Sequence, residues 1–132
     1  MSVAEDFLSK LQTCKKALAH DDADGIASAV LISKAIEGIS FDFPEEFGEY
    51  TPDTQLILDM RPIDSNYTGL CIDHHLDHPK ERQYTLLWEE VPTGLIVYKL
   101  VKDKIPQKEW WKVMVALMGD GQPYLAPPEI FK

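Results

Sequence analysis

Apolar positions fall into helical and strand-like rhythms along the chain. In "SVAEDFLSKLQ", Val3, Phe7, Leu8 and Leu11 recur at helical spacing behind Ser2 and Glu5, which stand at capping-box separation. A helix is predicted over about 3–14. "KKALA" predicts a strand at about 16–20. "IASAVLISKAI" is apolar on most sides and predicts a buried helix at about 25–37, with Asp24 as its N-cap. "ISFDF" (39–43) reads as a short strand and "PEEFGEYTPDT" as a loop. "QLILD" (55–59) and "GLCID" (69–73) are continuous apolar runs, the form taken by central strands of a parallel sheet. "QYTLLW" (83–88) predicts one more strand. "TGLIVYKLVKD" (93–103) and "QKEWWKVMVALM" (107–118) predict helices; in the second, Trp110, Val113, Met114 and Leu117 share a face. Strands interleaved with helices predict an α/β fold, a mainly parallel β-sheet flanked by helices. The 132 residues suit a single domain with its own core.

Three of the predicted strands end alike. The run at 16–20 leads into "HDDADG", which crowds His20, Asp21, Asp22 and Asp24 into one turn before Gly25. The run at 55–59 ends on Asp59, and the run at 69–73 ends on Asp73, followed by His74 and His75. In open α/β sheets, ligands bind at the carboxyl edge of the strands, so parallel pairing would gather these residues into one cluster. Like charges that close oppose ionisation unless something positive lies between them. Carboxylates with imidazoles, and no matching lysines or arginines, suit Mn²⁺ or Mg²⁺. Two such ions sharing a bridging carboxylate could activate water for phosphoryl displacement. Taken singly, each residue has a plainer reading. Asp at a strand-to-helix turn is usually a cap, and a lone His after a strand is usually a surface or core residue.

Composition narrows the partners. A formal net charge of −9, from 22 acids and 13 bases, argues against the basic groove that proteins tracking long nucleic acid usually carry. Even two bound divalent ions would leave the chain acidic, so a short or small anionic substrate fits better. No apolar run approaches a membrane span, and "MSVAEDF" carries acids where a signal peptide needs bases. A cytoplasmic protein with no membrane partner is expected. Cys14 and Cys71 form no metal-binding pair motif and read as reduced core thiols.

The quoted stretches also resemble a known family. "HDDADG" is similar to the first motif of the DHH-family phosphoesterases, closest to their RecJ-like and archaeal branches. "LILDMRP", "CIDHHLDHP" and "MVALMGDGQP" resemble the second, third and fourth motifs, in the family's order, over about residues 15–122. The resemblance implies a divalent-metal-dependent phosphoesterase, a nuclease or phosphodiesterase carrying two Mn²⁺ ions, with Mg²⁺ as the alternative. By position, His20 and Asp22 would hold one ion. Asp24, His74 and Asp120 would hold the other, and Asp59 would bridge both. His75 would face the substrate phosphate, and Asp73 would orient a neighbouring histidine. Asp21 falls at a variable position and reads as a non-ligand. Gly25 and Arg61 are weak candidates for substrate contact, with turn geometry and a surface ion pair as the plainer readings. Ser28 reads as packing, Thr93 as a helix cap, and Asp77 lies at the edge of the pattern. His78 reads as a solvent-exposed loop residue.

The favoured substrate is a short single-stranded oligonucleotide or small nucleotide. A pyrophosphatase-like anhydride hydrolase and a non-catalytic DHH-type binding module are the alternatives. Family members usually continue after the fourth motif into an accessory domain that binds the rest of the substrate, and none is expected in 1–132. A homodimer or a partner protein would then supply the recognition surface.

Overall fold

The computed structural model describes residues 2–132. Ser2 and Glu5 form the capping box that opens α1 (Val3–Leu11). β1 (Lys16–Ala19), α2 (Ala23–Ala35), β2 (Ser40–Asp42), β3 (Leu56–Leu58), β4 (Leu70–Asp73) and β5 (Thr85–Trp88) follow, then α3 (Thr93–Val101) and α4 (Val113–Gly119). The five strands form one all-parallel sheet in the order β2-β1-β3-β4-β5. The expected α/β architecture is therefore present.

Strand alternation divides the core in two. Ala17, Ala19, Leu56, Leu58, Leu70 and Ile72 point to one face, where they meet Phe7 and Leu11 of α1, Leu31 and Ile32 of α2, Val97 and Val101 of α3, and Val113 and Leu117 of α4. Ile57 and Cys71 point to the other face, which is covered by Met60, Tyr67 and Tyr84 from the connections instead of by a helix. Tyr67 satisfies its buried hydroxyl by donating to the Leu70 carbonyl. Cys14 and Cys71 are buried free thiols in these two cores. Among the described residues, no helix is long and apolar enough to cross a membrane.

Several boundaries differ from the sequence expectation. The first helix stops at Leu11, and α2 runs 23–35, two residues ahead of the expected 25–37 at both ends. The region 93–103 is α-helical only to Val101 and closes in a 3₁₀ turn, Lys102–Lys104. The region 107–118 is not one α-helix: Gln107–Lys112 winds as 3₁₀ after Pro106, and the α-helix begins at Val113. Tight 3₁₀ turns at helix ends keep the same apolar face and escape a periodicity reading.

Small residues let the three site-bearing helices approach. A Cβ on Gly94 would lie 2.3 Å from the Ala116 Cβ, and one on Gly119 would lie 2.6 Å from the Ala23 Cβ. These contacts bring the starts of α2 and α3 and the end of α4 together beside the carboxyl ends of β1, β3 and β4.

Candidate metal centre

His20 leaves β1 still paired, its N–H donating to the Leu58 carbonyl at 3.2 Å. The chain then turns sharply into α2. A Cβ on Gly25 would sit 1.9 Å from the His20 carbonyl oxygen, so the turn closes only over glycine. Asp22, not Asp24, is the N-cap, and its Oδ1 accepts the Gly25 N–H at 2.8 Å. Two expectations are corrected here. Asp24 does not cap its own helix, and the Gly25 N–H is already taken, so it does not face an anion.

Asp24 lies two residues further on, within the first turn of α2, and is buried. Its two oxygens accept the N–H groups of Gly94 (2.7 Å) and Thr93 (2.9 Å) at the start of α3. It therefore caps a helix about seventy residues away. Pro92, the N-cap of α3, offers no side-chain cap of its own. Thr93 is likewise no cap; its buried hydroxyl donates to Asp59 Oδ1 at 3.1 Å. Ser28, read as packing, is buried and donates to the Asp24 carbonyl at 2.7 Å.

Asp59 follows β3 directly, with φ +62°, the one positive φ at a non-glycine among the described residues. That left-handed backbone costs about 1–3 kcal/mol where the surroundings impose it. It directs Oδ1 to within 3.1 Å of His74 Nε2 and Oδ2 to within 3.6 Å of His20 Nδ1. His20 Nδ1 also lies 3.1 Å from Asp22 Oδ2. Yet His20 Nδ1 and Asp59 Oδ2 are both buried without a hydrogen-bond partner. His74 Nε2 stands 3.6 Å from Asp24 Oδ2 and 3.8 Å from Asp120 Oδ2.

Three groups with ligand-like spacing result, His20/Asp22/Asp59, Asp24/His74/Asp120 and Asp59/Asp73/His74/His75, and the Asp59 carboxylate faces both His20 and His74. The structure thus brings together every residue that the sequence reading placed at the metals. Asp21 is exposed, with its Oδ1 3.9 Å from His20 Nε2. Arg61 pairs with exposed Asp77 at 3.3 Å, the plainer of its two readings.

The electrostatics are unbalanced. No lysine or arginine among the described residues pairs with Asp22, Asp24, Asp59, Asp73 or Asp120. Burial, then the nearby Asp59 charge, pushes the Asp24 carboxyl up to about 8. Burial likewise raises Asp59, to about 6, against the opposing hydrogen bond with His74. That same hydrogen bond raises His74 to about 9. Unsatisfied buried acceptors, repelling carboxylates and a hard-oxygen-plus-imidazole donor set fit divalent cations.

The third-motif residues divide their work. Asp73, at the end of β4, has Oδ1 2.6 Å from His75 Nδ1 and Oδ2 2.7 Å from His78 Nε2. Burial alone would raise this carboxyl, but the hydrogen bonds to His75 and His78 hold it at about 2. His78 is not a solvent-exposed loop residue. Its side chain is buried, and its Nδ1 lies 2.7 Å from the Tyr84 hydroxyl. Loop composition concealed this, although a fourth histidine five residues after Asp73 was a visible signal.

Sequence reasoning also missed Phe47. Its half-exposed ring lies 5.2 Å, edge to face, from both His20 and His75. Gly48, at φ +79°, presses against the Arg61 carbonyl, where a Cβ would come within 2.1 Å; its own carbonyl accepts the Ile63 N–H. The loop carrying Phe47 is thereby clipped to the segment that follows Asp59. Nothing in its sequence marks it.

No family model and no curated relative matches the chain. Among solved structures it is similar to CDC45 from Entamoeba histolytica, at 12% identity and a TM-score of 0.65. The match covers 89% of this chain and 33% of that one, so the chain spans about a third of the length of that structure. The likeness is one of fold.

Proposed function

We propose that this chain is a phosphoesterase of the DHH type that hydrolyses phosphodiester bonds in short single-stranded oligonucleotides or small nucleotides and depends on two Mn²⁺ ions, or Mg²⁺ in their place. The observation that carries this reading is Asp59, a buried, backbone-strained carboxylate with one oxygen toward His20 and the other toward His74. Backbone strain of this kind concentrates at functional sites. His20, Asp22 and Asp59 would hold one ion, and Asp24, His74, Asp120 and Asp59 the other. When bound, such ions acidify water and neutralise charge on a phosphoryl group.

The chain's own groups do the rest. Asp73 ties down His75 Nδ1, which leaves Nε2 free to donate to a phosphoryl oxygen as charge grows there. The hydrogen bond to Asp73 raises the His75 pKa and favours the protonated, donating form. Thr93 and the α3 N-terminus hold Asp59 and Asp24 in place without a cationic side chain. Phe47 stands at the mouth as an aromatic surface on which a base could stack, which favours a nucleotide over pyrophosphate.

The test is an activity screen of metal-stripped chain with Mn²⁺ restored, comparing short oligonucleotides, cyclic dinucleotides and pyrophosphate. Metal-dependent turnover of the nucleotides is expected. Preference for pyrophosphate would move the reading to an anhydride hydrolase. Metal binding without turnover of any substrate would move it to a binding module.

A further inference from the structure

The hydrogen-bond chain from His75 does not stop at Asp73. An ionised Asp73 can only accept, so its Oδ1 takes the His75 Nδ1–H and its Oδ2 the His78 Nε2–H, which leaves Nδ1 of a neutral His78 to accept the Tyr84 hydroxyl. Asp73 and Tyr84 are buried, as is the His78 side chain. A carboxylate with one donor can still rotate about its terminal torsion, because such sp³–sp² torsions are broad. A second donor on the other oxygen removes that freedom. Tyr84 in turn sets the plane of the His78 ring from the tyrosine-covered core on the far side of the sheet. The His75 backbone is held as well, since Trp88 Nε1–H donates to its carbonyl at 2.9 Å. His75 is thus fixed at its main chain by β5 and at its ring by three linked side chains, while neither His78 nor Tyr84 belongs to any of the three ligand-spaced groups.

We propose that His78 and Tyr84 are positioning residues for His75: through Asp73 they fix the rotation that presents His75 Nε2 to the substrate phosphate. This rests on the phosphoesterase reading for its catalytic consequence, but not for its geometric one. Outer partners of this kind typically change activity by about 10–100-fold.

The test compares H78A, H78Q and Y84F in the full chain by two readouts. Glutamine can return an N–H to Asp73 Oδ2, and phenylalanine keeps the packing while deleting the hydroxyl. The first readout is the downfield proton resonance of His75 Nδ1–H in NMR, assigned by its loss in H75Q. It should persist in H78Q, broaden or exchange faster in Y84F, and be lost in H78A. The second is kinetic, with Mn²⁺. H78A should lower kcat by at least about tenfold with KM nearly unchanged, and H78Q should recover to within roughly threefold of the parent.

An unchanged His75 resonance in folded H78A and Y84F overturns the proposal. If H78A does not fold, an unchanged resonance in Y84F alone overturns it. Equal kcat losses in H78A and H78Q, with the resonance intact in both, would show a structural role only and also overturn it. An inactive parent chain with the expected resonance pattern would count against the phosphoesterase reading and leave the positioning role standing.

Discussion

Asp59, directly after β3, and Asp73, the last residue of the adjacent β4, are both buried, at 1% and 0% exposure. Their surroundings are opposite. Asp73 has a histidine on each oxygen and is held at about 2. Asp59 has a strained backbone, an orphaned oxygen and a carboxyl raised by burial to about 6. The same fold edge therefore satisfies one carboxylate completely and leaves its neighbour open. Incomplete satisfaction at Asp59 is thus local, and a cation on that side would complete the set. The Asp73 carboxylate, by contrast, has a partner on each oxygen without one.

The largest effects are expected when each aspartate is replaced by asparagine. Asparagine tolerates the left-handed backbone at 59, so D59N removes charge without disturbing the turn. D59N is expected to lower Mn²⁺-dependent hydrolysis by at least about 10³-fold, since metal catalysis supplies several kcal/mol. It should also abolish the rise in melting temperature on adding Mn²⁺. Metal-free D59N should be at least as stable as the parent, because one repelling charge is gone. D73N should do the reverse in metal-free protein and destabilise by about 3 kcal/mol, because breaking a buried hydrogen-bonded ion pair costs about that much. Denaturant unfolding in chelator reads both. Equal losses of stability in the two variants would erase the distinction.

The pH dependence of metal-free stability should separate the same carboxylates. Asp24 and Asp59 bind protons more tightly folded than unfolded, because their folded values of about 8 and about 6 exceed the ordinary 3.8. Their contribution is therefore fully present below about pH 4 and is lost as pH rises toward 8. His74, raised from 6.5 to about 9, continues the loss over that higher range. Asp73 runs the other way: its contribution is present above 3.8 and lost only as pH falls toward 2. Metal-free chain should therefore lose stability between pH 5 and pH 8, and saturating Mn²⁺ should flatten that slope. Ca²⁺ should need a higher concentration, since it prefers more numerous and more distant oxygens. Chemical unfolding at a series of pH values checks this, and a metal-free slope of opposite sign would overturn the description of the Asp24–Asp59 pair.

The smallest effect is expected from T93V, which keeps the side-chain shape and deletes the hydroxyl bound to Asp59 Oδ1. A cost of about 1 kcal/mol is expected in metal-free protein, the usual net worth of a buried hydrogen bond. The cost should shrink when Mn²⁺ is present. A cost that is the same with and without Mn²⁺ would mean that the hydroxyl is independent of the open side of Asp59.

The parallel sheet and its polar edge were legible in the sequence because both follow from local patterns. Apolar runs at 16–20, 55–59 and 69–73 ending on acids or histidines must meet at one edge once the strands pair in parallel, whatever the loops do. The capping box of α1 was legible for the same reason, since both partners lie within one turn. What each polar atom faces was not legible. Asp24 looked like the cap of its own helix, but its donors are Thr93 and Gly94, brought near only when α2 and α3 pack. His78 looked like exposed loop, but Asp73 at the end of β4 and Tyr84 in the connection before β5 enclose it. Residue type and strand-end position are properties of the chain; which oxygen goes unpaired depends on donors supplied by distant segments, and only the packed tertiary structure decides that.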